Sequence, residues 1–275
     1  MPSGRRVSAS SRRDADYRYD RFTTKLLLRD LRFHRGALAP GDPLRISSLT
    51  DARGDAVRLS GVDRPVLLVT GSVTCPMTAS GMPSLLGLHQ EFGDRVDFVL
   101  VSGREAHPGE SYPQLKTEGQ ARERARTLQS HHGVPFPVVV DSVDGRLHRL
   151  LDGKPNAAFV FDRGGLLVFR SLWSSDDRLR GALEAVAAGE RPPAAESNAM
   201  LRPMTRAIGS IDDVIRHAGR GARRDLWRSA APMALAGRVA AGFSFLPTAV
   251  RGAIGLGVTM LAMVGVLTAA LWLLL

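Results

Sequence analysis

Short apolar runs alternate with longer stretches of mixed polarity in the middle of the chain. The runs are rich in valine, leucine and phenylalanine, which is typical of buried strands. They cover residues 65–71, 96–102, 137–141, 157–162 and 166–170. The other stretches predict helices over residues 76–92, 118–131 and 175–188. Strands that alternate with helices and end in a hairpin and a closing helix predict an α/β domain with a mixed central sheet flanked by helices.

The C-terminal end of the chain has a different pattern. Residues 253–275 contain no charged side chain, and as a helix they would be about 35 Å long, enough to cross a hydrocarbon core of about 30 Å. We therefore predict a single-pass transmembrane helix over 253–275. Arginines cluster on its N-terminal side, within 216–228 and at Arg238 and Arg251. The positive-inside tendency then predicts a catalytic domain that faces the cytoplasm.

The net charge of +10 belongs to the flanks of the chain. Residues 1–35 carry ten Lys/Arg against four Asp, and residues 202–251 carry nine Arg against three Asp, whereas 36–201 carry eighteen basic and twenty acidic residues. A central domain without a basic stripe argues against nucleic acid as its partner. Basic flanks beside an anchor suit an anionic membrane surface; the alternative is that they only keep the tails soluble.

These patterns divide the chain into four parts. We predict a basic N-terminal segment over 1–35, partly helical, and a globular domain over 36–190. A linker with basic amphipathic or interfacial helices follows over 191–252, where prolines are frequent at its start and arginines interrupt its apolar runs. The membrane helix completes the chain.

Cys75 is the only cysteine, which excludes an intramolecular disulfide and a cysteine-built metal site. No histidine or carboxylate grouping has metal-ligand spacing, so we expect neither a metal nor a bound cofactor. Cys75 follows a predicted strand and precedes Pro76, at the predicted first position of a helix. The positive end of that helix would favour the thiolate, so we predict a poised, solvent-reachable, ionised nucleophile. The alternative is a small buried core residue.

Two motifs carry a resemblance to a known family. The segment 64–77 (RPVLLVTGSVTCPM) and Glu105-Ala106-His107-Pro108, after the strand DFVLVS, resemble the iodothyronine deiodinases. The likeness covers about residues 40–190, and the wider redoxin and alkyl hydroperoxide reductase superfamily explains the rest, including an N-terminal hairpin within 41–59. It implies a thioredoxin-like fold.

The resemblance also implies roles for single residues. Cys75, between Thr74 and Pro76, takes the position of the family's selenocysteine. His107 matches a histidine associated with substrate handling and proton transfer, and Glu105 matches its acidic neighbour. Pro155 resembles the thioredoxin-fold proline that is cis and packs beside the nucleophile. The family's second histidine has no counterpart in this chain. The family's membrane anchor is N-terminal, whereas the one predicted here is C-terminal.

We therefore expect a membrane-anchored, single-cysteine thiol oxidoreductase of deiodinase-like type, acting on a small molecule or on a thiol/disulfide substrate. Thr78 stands where a thioredoxin has its second cysteine, so an external thiol or a partner redoxin would regenerate Cys75. One alternative is a one-cysteine peroxiredoxin-like peroxidase, although Ser72 replaces the threonine of the peroxidase motif. The other is a non-catalytic redox-sensing or scaffold module at the membrane.

Overall fold

Eight strands form one sheet in the computed structural model, which describes residues 17–61 and 63–274. They are β1 (Ser48–Asp51), β2 (Ala56–Arg58), β3 (Val66–Gly71), β4 (Asp97–Ser102), β5 (Val138–Val140), β6 (Ala158–Phe161), β7 (Leu167–Ser171) and β8 (Glu196–Ser197). Their order across the sheet is β2-β1-β5-β4-β3-β6-β7-β8. Residues 1–16 of the predicted N-terminal segment lie outside the described residues.

Nine α-helices are named in the described part of the chain, and the first five belong to the sheet domain or its N-terminal flank. These are α1 (Thr24–Asp30), α2 (Pro76–Phe92), α3 (Glu118–His132), α4 (Arg146–Leu151) and α5 (Arg178–Ala187). The C-terminal part contributes α6 (Leu201–Ala218), α7 (Arg220–Ser229), α8 (Ala231–Ala241) and α9 (Thr248–Leu274). The short helix α4 has no counterpart among the sequence predictions.

The centre of the sheet has the thioredoxin-like topology. β3 is parallel to β4 and antiparallel to β6, and β6 pairs antiparallel with β7. α2 connects β3 to β4, and α5 follows β7. β5 and the β1–β2 hairpin extend one edge of the sheet, and β8 extends the other. The predicted fold class, an α/β thioredoxin-like domain with a C-terminal apolar helix, is confirmed.

Alternation along β3 divides the core between the two faces of the sheet. Leu67 and Val69 point into a cluster shared with α2, α3 and α5. Val66 and Leu68 point into a second cluster on the opposite face, with α4 and residues 38–59. Because both faces are covered, β3 is buried along its whole length, as its continuous apolar run predicts.

The segment predicted as a linker does not act as a spacer. It supplies the edge strand β8 and then α6, α7 and α8, whose apolar faces share one buried cluster with Phe22 at the N-terminal side of α1. This cluster includes Ile208, Ile211 and Ile215 of α6. Amphipathic helices were predicted here, but their burial against the domain was not, because helical periodicity shows an apolar face without showing what covers it.

α9 is the one helix of the described residues that is long and apolar enough to cross a membrane, by length and composition. It begins at Thr248 rather than at the predicted residue 253. Close backbone approaches tie its first turns to two other helices: a Cβ at Gly252 would overlap the Thr205 carbonyl of α6, and one at Gly255 would overlap the Ala236 carbonyl of α8. Most of the rest of α9 is exposed.

Candidate active site

Cys75 occupies the N-cap position of α2, at the carboxyl end of β3. Its Sγ accepts a hydrogen bond from the Thr78 backbone N–H at 3.4 Å, and Pro76 begins the helix where a missing N–H costs nothing. The Thr78 hydroxyl donates to the Pro155 carbonyl at 3.1 Å and accepts from the Ser72 N–H at 3.3 Å. The predicted strand–turn–Cys-Pro–helix arrangement is therefore present.

A buried carboxylate holds the Cys75 turn against the loop that follows β4. Glu105 is fully buried and accepts from both the backbone N–H and the hydroxyl of Thr74, at 3.0 and 2.6 Å. Its other oxygen forms an ion pair with Arg124 of α3. The Thr74 hydroxyl in turn accepts from the His107 backbone N–H at 3.1 Å. The structure thus brings Cys75, Thr74, Glu105 and His107 together, as the sequence predicts.

Two supporting residues were not found by sequence reasoning. Gln114 makes paired bonds with the Glu105 backbone, donating from Nε2 to the carbonyl at 2.8 Å and accepting at Oε1 from the N–H at 3.0 Å. Arg124 lies on α3, whose many charges hide the single arginine that points inward. Its guanidinium also covers the ring of Tyr112 at 4.8 Å. For Gln114 the one signal was its position, near the place of the family's second histidine.

Cys75, Pro76, His107 and Pro155 line one small apolar cavity of about 70 Å³. Met77, Ala106 and Trp173 complete the wall that the sheet domain supplies. The opposite wall comes from α1, α6, α7 and α8 with their flanking residues, which we call the covering helices. They contribute Phe22, Leu27, Asp30, Leu31, Met204, Ala207, Ile211, Leu226, Ala230 and Met233.

The covering helices bury the thiol, which is 2% exposed. Burial raises the pKa of Cys75 to about 11, and the hydrogen bonds from Thr78 and Met77 oppose this only in part. The prediction of a solvent-reachable, ionised Cys75 is therefore wrong for this arrangement. The helix terminus is present as predicted. However, the free energy needed to desolvate a thiolate exceeds the stabilisation that the helix terminus provides.

His107 is also buried and uncharged. Burial lowers the pKa of its imidazole to about 4, and its ring lies against Phe22 with centroids 4.2 Å apart. Its Nδ1 has no hydrogen-bond partner among the described residues. At neutral pH the cavity therefore holds a protonated thiol, rather than the predicted thiolate, beside a neutral imidazole.

Pro155 lies beside Cys75 as predicted, but its peptide bond is not cis. The residues that the structure describes contain no cis peptide bond, and the trans form is the commoner one for X-Pro bonds. The Thr70 hydroxyl donates a hydrogen bond to the Lys154 carbonyl, and the Thr78 hydroxyl donates one to the Pro155 carbonyl.

Within the described residues, no group of three or more histidines, cysteines or carboxylates could hold a metal ion.

Comparisons with known proteins give a limited sequence relationship. No family model matches the chain. A type II iodothyronine deiodinase from Fundulus heteroclitus is 33% identical over 96 residues, which is 30% of this chain and 36% of that relative. The match thus spans about a third of the deiodinase.

Solved structures cover a larger part of the chain at lower identity. An uncharacterized conserved protein from Geobacillus kaustophilus is similar with a TM-score of 0.46 and 21% identity, over 60% of this chain and 89% of that one. The thioredoxin domain of a thiol-disulfide oxidoreductase from Bacteroides vulgatus has a TM-score of 0.37 and 18% identity, over 49% and 89%. The fold assignment rests on the order and direction of the strands described above.

Proposed function

We propose that the chain is a membrane-anchored, single-cysteine thiol oxidoreductase of deiodinase-like type. The observation that supports this most is the shared cavity of Cys75 and His107, with the sulfur at a helix N-terminus and the imidazole held one loop away. The partial match to a deiodinase supports the same class. The substrate is electrophilic, and its reacting atom is a halogen, a peroxide oxygen or a disulfide sulfur.

The first step is a displacement at that atom. The Cys75 thiol gives its proton to the unpartnered Nδ1 of His107, and the sulfur attacks the electrophilic atom. A bond forms between sulfur and that atom while the atom's bond to the leaving group breaks. The leaving group keeps the electron pair and takes the proton from His107. The substrate is reduced by two electrons, and Cys75 is oxidised.

An external thiol completes the cycle. One thiol molecule displaces the transferred atom from Cys75 and leaves a mixed disulfide, and a second releases the Cys75 thiol with formation of an external disulfide. The described chain offers no second cysteine for this step. Two external thiols are therefore consumed for each substrate reduced.

The buried thiol requires that the covering helices move before substrate enters. Several polar contacts join them to the sheet domain near Cys75, including a buried ion pair between Asp30 of α1 and Arg104 at 3.4 Å and a hydrogen bond from the Gly221 N–H of α7 to the Glu110 carboxylate. Arg206 of α6 donates to the Ser84 hydroxyl at 3.2 Å and to the Ser175 carbonyl at 3.4 Å, and exposed Arg202 pairs with Asp177. The exposed pair contributes little to stability, whereas the buried Asp30–Arg104 pair and the apolar packing must both be loosened before the cavity opens. Water admitted on opening would lower the pKa of Cys75 toward its ordinary value.

Turnover by the full chain in neutral detergent tests this proposal. An aryl iodide, a hydroperoxide and a disulfide are offered separately with dithiothreitol as reductant. We expect turnover of at least one, its loss in Cys75→Ser, and a decrease of about a hundredfold in His107→Gln. Equal turnover in wild type and Cys75→Ser, or no reaction with any of the three, would reject the proposal.

A non-catalytic scaffold at the membrane is the second candidate. The specific observation that favours it is the burial of Cys75 with its raised pKa. In that case partners would bind equally well to wild type and Cys75→Ser. A peroxidase, by contrast, is recognised within the same panel by rapid formation of a sulfenic acid with dilute hydroperoxide alone.

α9 is the proposed anchor, with the sheet domain on the cytoplasmic side. A mean hydropathy of 2.2 over an 18-residue window of α9 and the arginines before the helix support this. We expect the full chain to resist extraction from membranes by alkaline carbonate, and the double variant Leu261→Arg/Val264→Arg to be extracted. Leu261→Ile/Val264→Leu is the matched control. Digestion of the sheet domain only by protease on the cytoplasmic face of sealed vesicles would support the orientation.

A further inference from the structure

A second, larger cavity lies on the other side of α1 from Cys75. It is an open cleft of about 740 Å³ between α1, the loop after it and α4. Lys25, Leu28 and Arg29 of α1 line this cleft, whereas Leu27 and Asp30 of the same helix line the Cys75 cavity. One turn of helix therefore separates an apolar cavity from a polar one.

The cleft is strongly basic. Its charged lining residues are Lys25, Arg29, Arg32, Arg104, Arg149, Lys154 and Asp152. Asp152 pairs with Lys154 at 2.7 Å, Asp30 with Arg104 at 3.4 Å, and Asp144 with Arg149 at 2.9 Å. Six cations thus meet three carboxylates. The side chains of Lys25 and Arg32 make no hydrogen bond or ion pair with any residue that the structure describes.

Two polar side chains at the floor of the cleft are buried without all their partners. Tyr17 and Arg104 are 4% and 6% exposed, and the Tyr17 hydroxyl and the Arg104 Nε have no hydrogen-bond partner among residues 17–61 and 63–274. Both residues line the cleft, but these two atoms are sealed from it and do not reach a ligand. An anion is instead indicated by the surplus positive charge of the lining, above all by the exposed side chains of Lys25 and Arg32.

We propose that this cleft binds a small soluble organic anion that carries two or more phosphate or carboxylate groups. Lys25 and Arg32 at the rim hold its anionic groups. Leu28 and Phe33 supply apolar surface for the organic part. The cleft volume lies within the usual range for small-molecule sites, about 300–1,000 Å³.

The depth of the cleft favours a soluble anion over a membrane surface. A flat layer of lipid headgroups would meet Lys25 and Arg32 at the rim but would not fill a cleft of about 740 Å³. The proposal does not depend on the chemistry of Cys75. Cys75→Ser should bind the anion with unchanged affinity, so a failure of the oxidoreductase proposal and a failure of this one are distinguishable.

Calorimetric titration of the full chain in neutral detergent tests the site. Pyrophosphate and citrate serve as probes, and the tighter of the two identifies phosphate or carboxylate as the preferred group. We expect saturable binding that weakens with added salt. Lys25→Gln/Arg32→Gln should weaken it by about tenfold or more, because two charge-assisted contacts are lost.

The matched control removes the same charge elsewhere. Arg53→Gln/Arg58→Gln changes two exposed arginines of the β1–β2 hairpin, which do not line the cleft, and should bind like wild type. Absence of binding to both probes at millimolar concentration, or equal affinity in the two double variants, would overturn the proposal. So would binding only to micelles that contain phosphatidylglycerol, since that outcome assigns the charge to a lipid surface.

Discussion

The two walls of the Cys75 cavity are held in different ways. The wall from the sheet domain is fixed by buried hydrogen bonds and an ion pair, centred on Glu105. The wall from the covering helices presents mostly apolar side chains such as Met204 and Ile211, and one buried ion pair, Asp30–Arg104, ties α1 to the sheet domain. Directional bonds fix a geometry, whereas apolar packing is non-directional. The first wall therefore fixes the position of Cys75, and the second sets how far Cys75 is exposed.

The largest effect on stability should come from a change in the wall that the sheet domain supplies. Glu105→Gln removes one charge of a buried ion pair and leaves Arg124 without its counterion, which costs about 3–5 kcal/mol. We expect the free energy of unfolding of the full chain in detergent, measured with urea by tryptophan fluorescence, to fall by this amount. Glu123→Gln, on the helix α3 that carries Arg124, breaks an exposed pair with Arg126. It should change the free energy of unfolding by less than about 0.5 kcal/mol. Equal effects would remove the distinction between the walls.

The next effect concerns the thiol between the walls. Burial raises the pKa of Cys75 from 9.0 to about 11, so the folded chain holds this proton more tightly than the unfolded chain does. The resulting stability is fully present below pH 9 and is lost as the pH rises toward 11, by about 3 kcal/mol. Urea unfolding between pH 8 and 11 measures it.

Cys75→Ser is the control for that pH dependence. Tyr17 and Tyr19, whose pKa values burial also raises, titrate in both proteins, so the difference between the two unfolding profiles isolates Cys75. A difference that stays constant from pH 8 to 11 would mean that the thiol is exposed and that the second wall does not close the cavity.

The contrast between the walls also explains what the sequence could predict. β3, the Cys75-Pro76 turn and the start and end of α2 were predictable because their signals are local: an apolar run, a proline at the first helical position and a glycine after the last. Thr74, Glu105 and His107 came from the motif resemblance. The same resemblance implied a cis Pro155, and there the structure differs.

The second wall was not predictable from local signals. Ile208, Ile211 and Ile215 mark one apolar face of α6, but periodicity does not say whether lipid, a partner or the chain's own domain covers that face. The raised pKa of Cys75 was not predictable for the same reason. A helix terminus is visible in sequence, whereas desolvation depends on residues more than a hundred positions away, such as Met204 and Ala207.

A smaller effect should come from loosening the second wall at its link to α9. A Cβ at Gly252 would overlap the Thr205 carbonyl of α6, so Gly252→Val should displace α6 from α9. We expect iodoacetamide to alkylate Cys75 about tenfold faster or more, because a strain of ~1.4 kcal/mol changes the open population tenfold. Gly257→Val lies on the same helix with nothing within 4 Å of its Cβ and should react like wild type. Equal rates in both variants would mean that α9 does not control access.

The smallest effect concerns His107, which meets both walls: its backbone is held by Thr74, and its ring lies against Phe22. His107→Leu removes the buried, unpartnered Nδ1 and should raise the free energy of unfolding at pH 7 by about 1 kcal/mol. Because burial lowers the pKa of His107 to about 4, the folded state loses stability as the pH falls from 6.5 toward 4. The advantage of the variant should therefore widen in acid. A variant that is less stable than wild type at both pH 7 and pH 5 would show that Nδ1 is bonded in solution and that the cavity is wet.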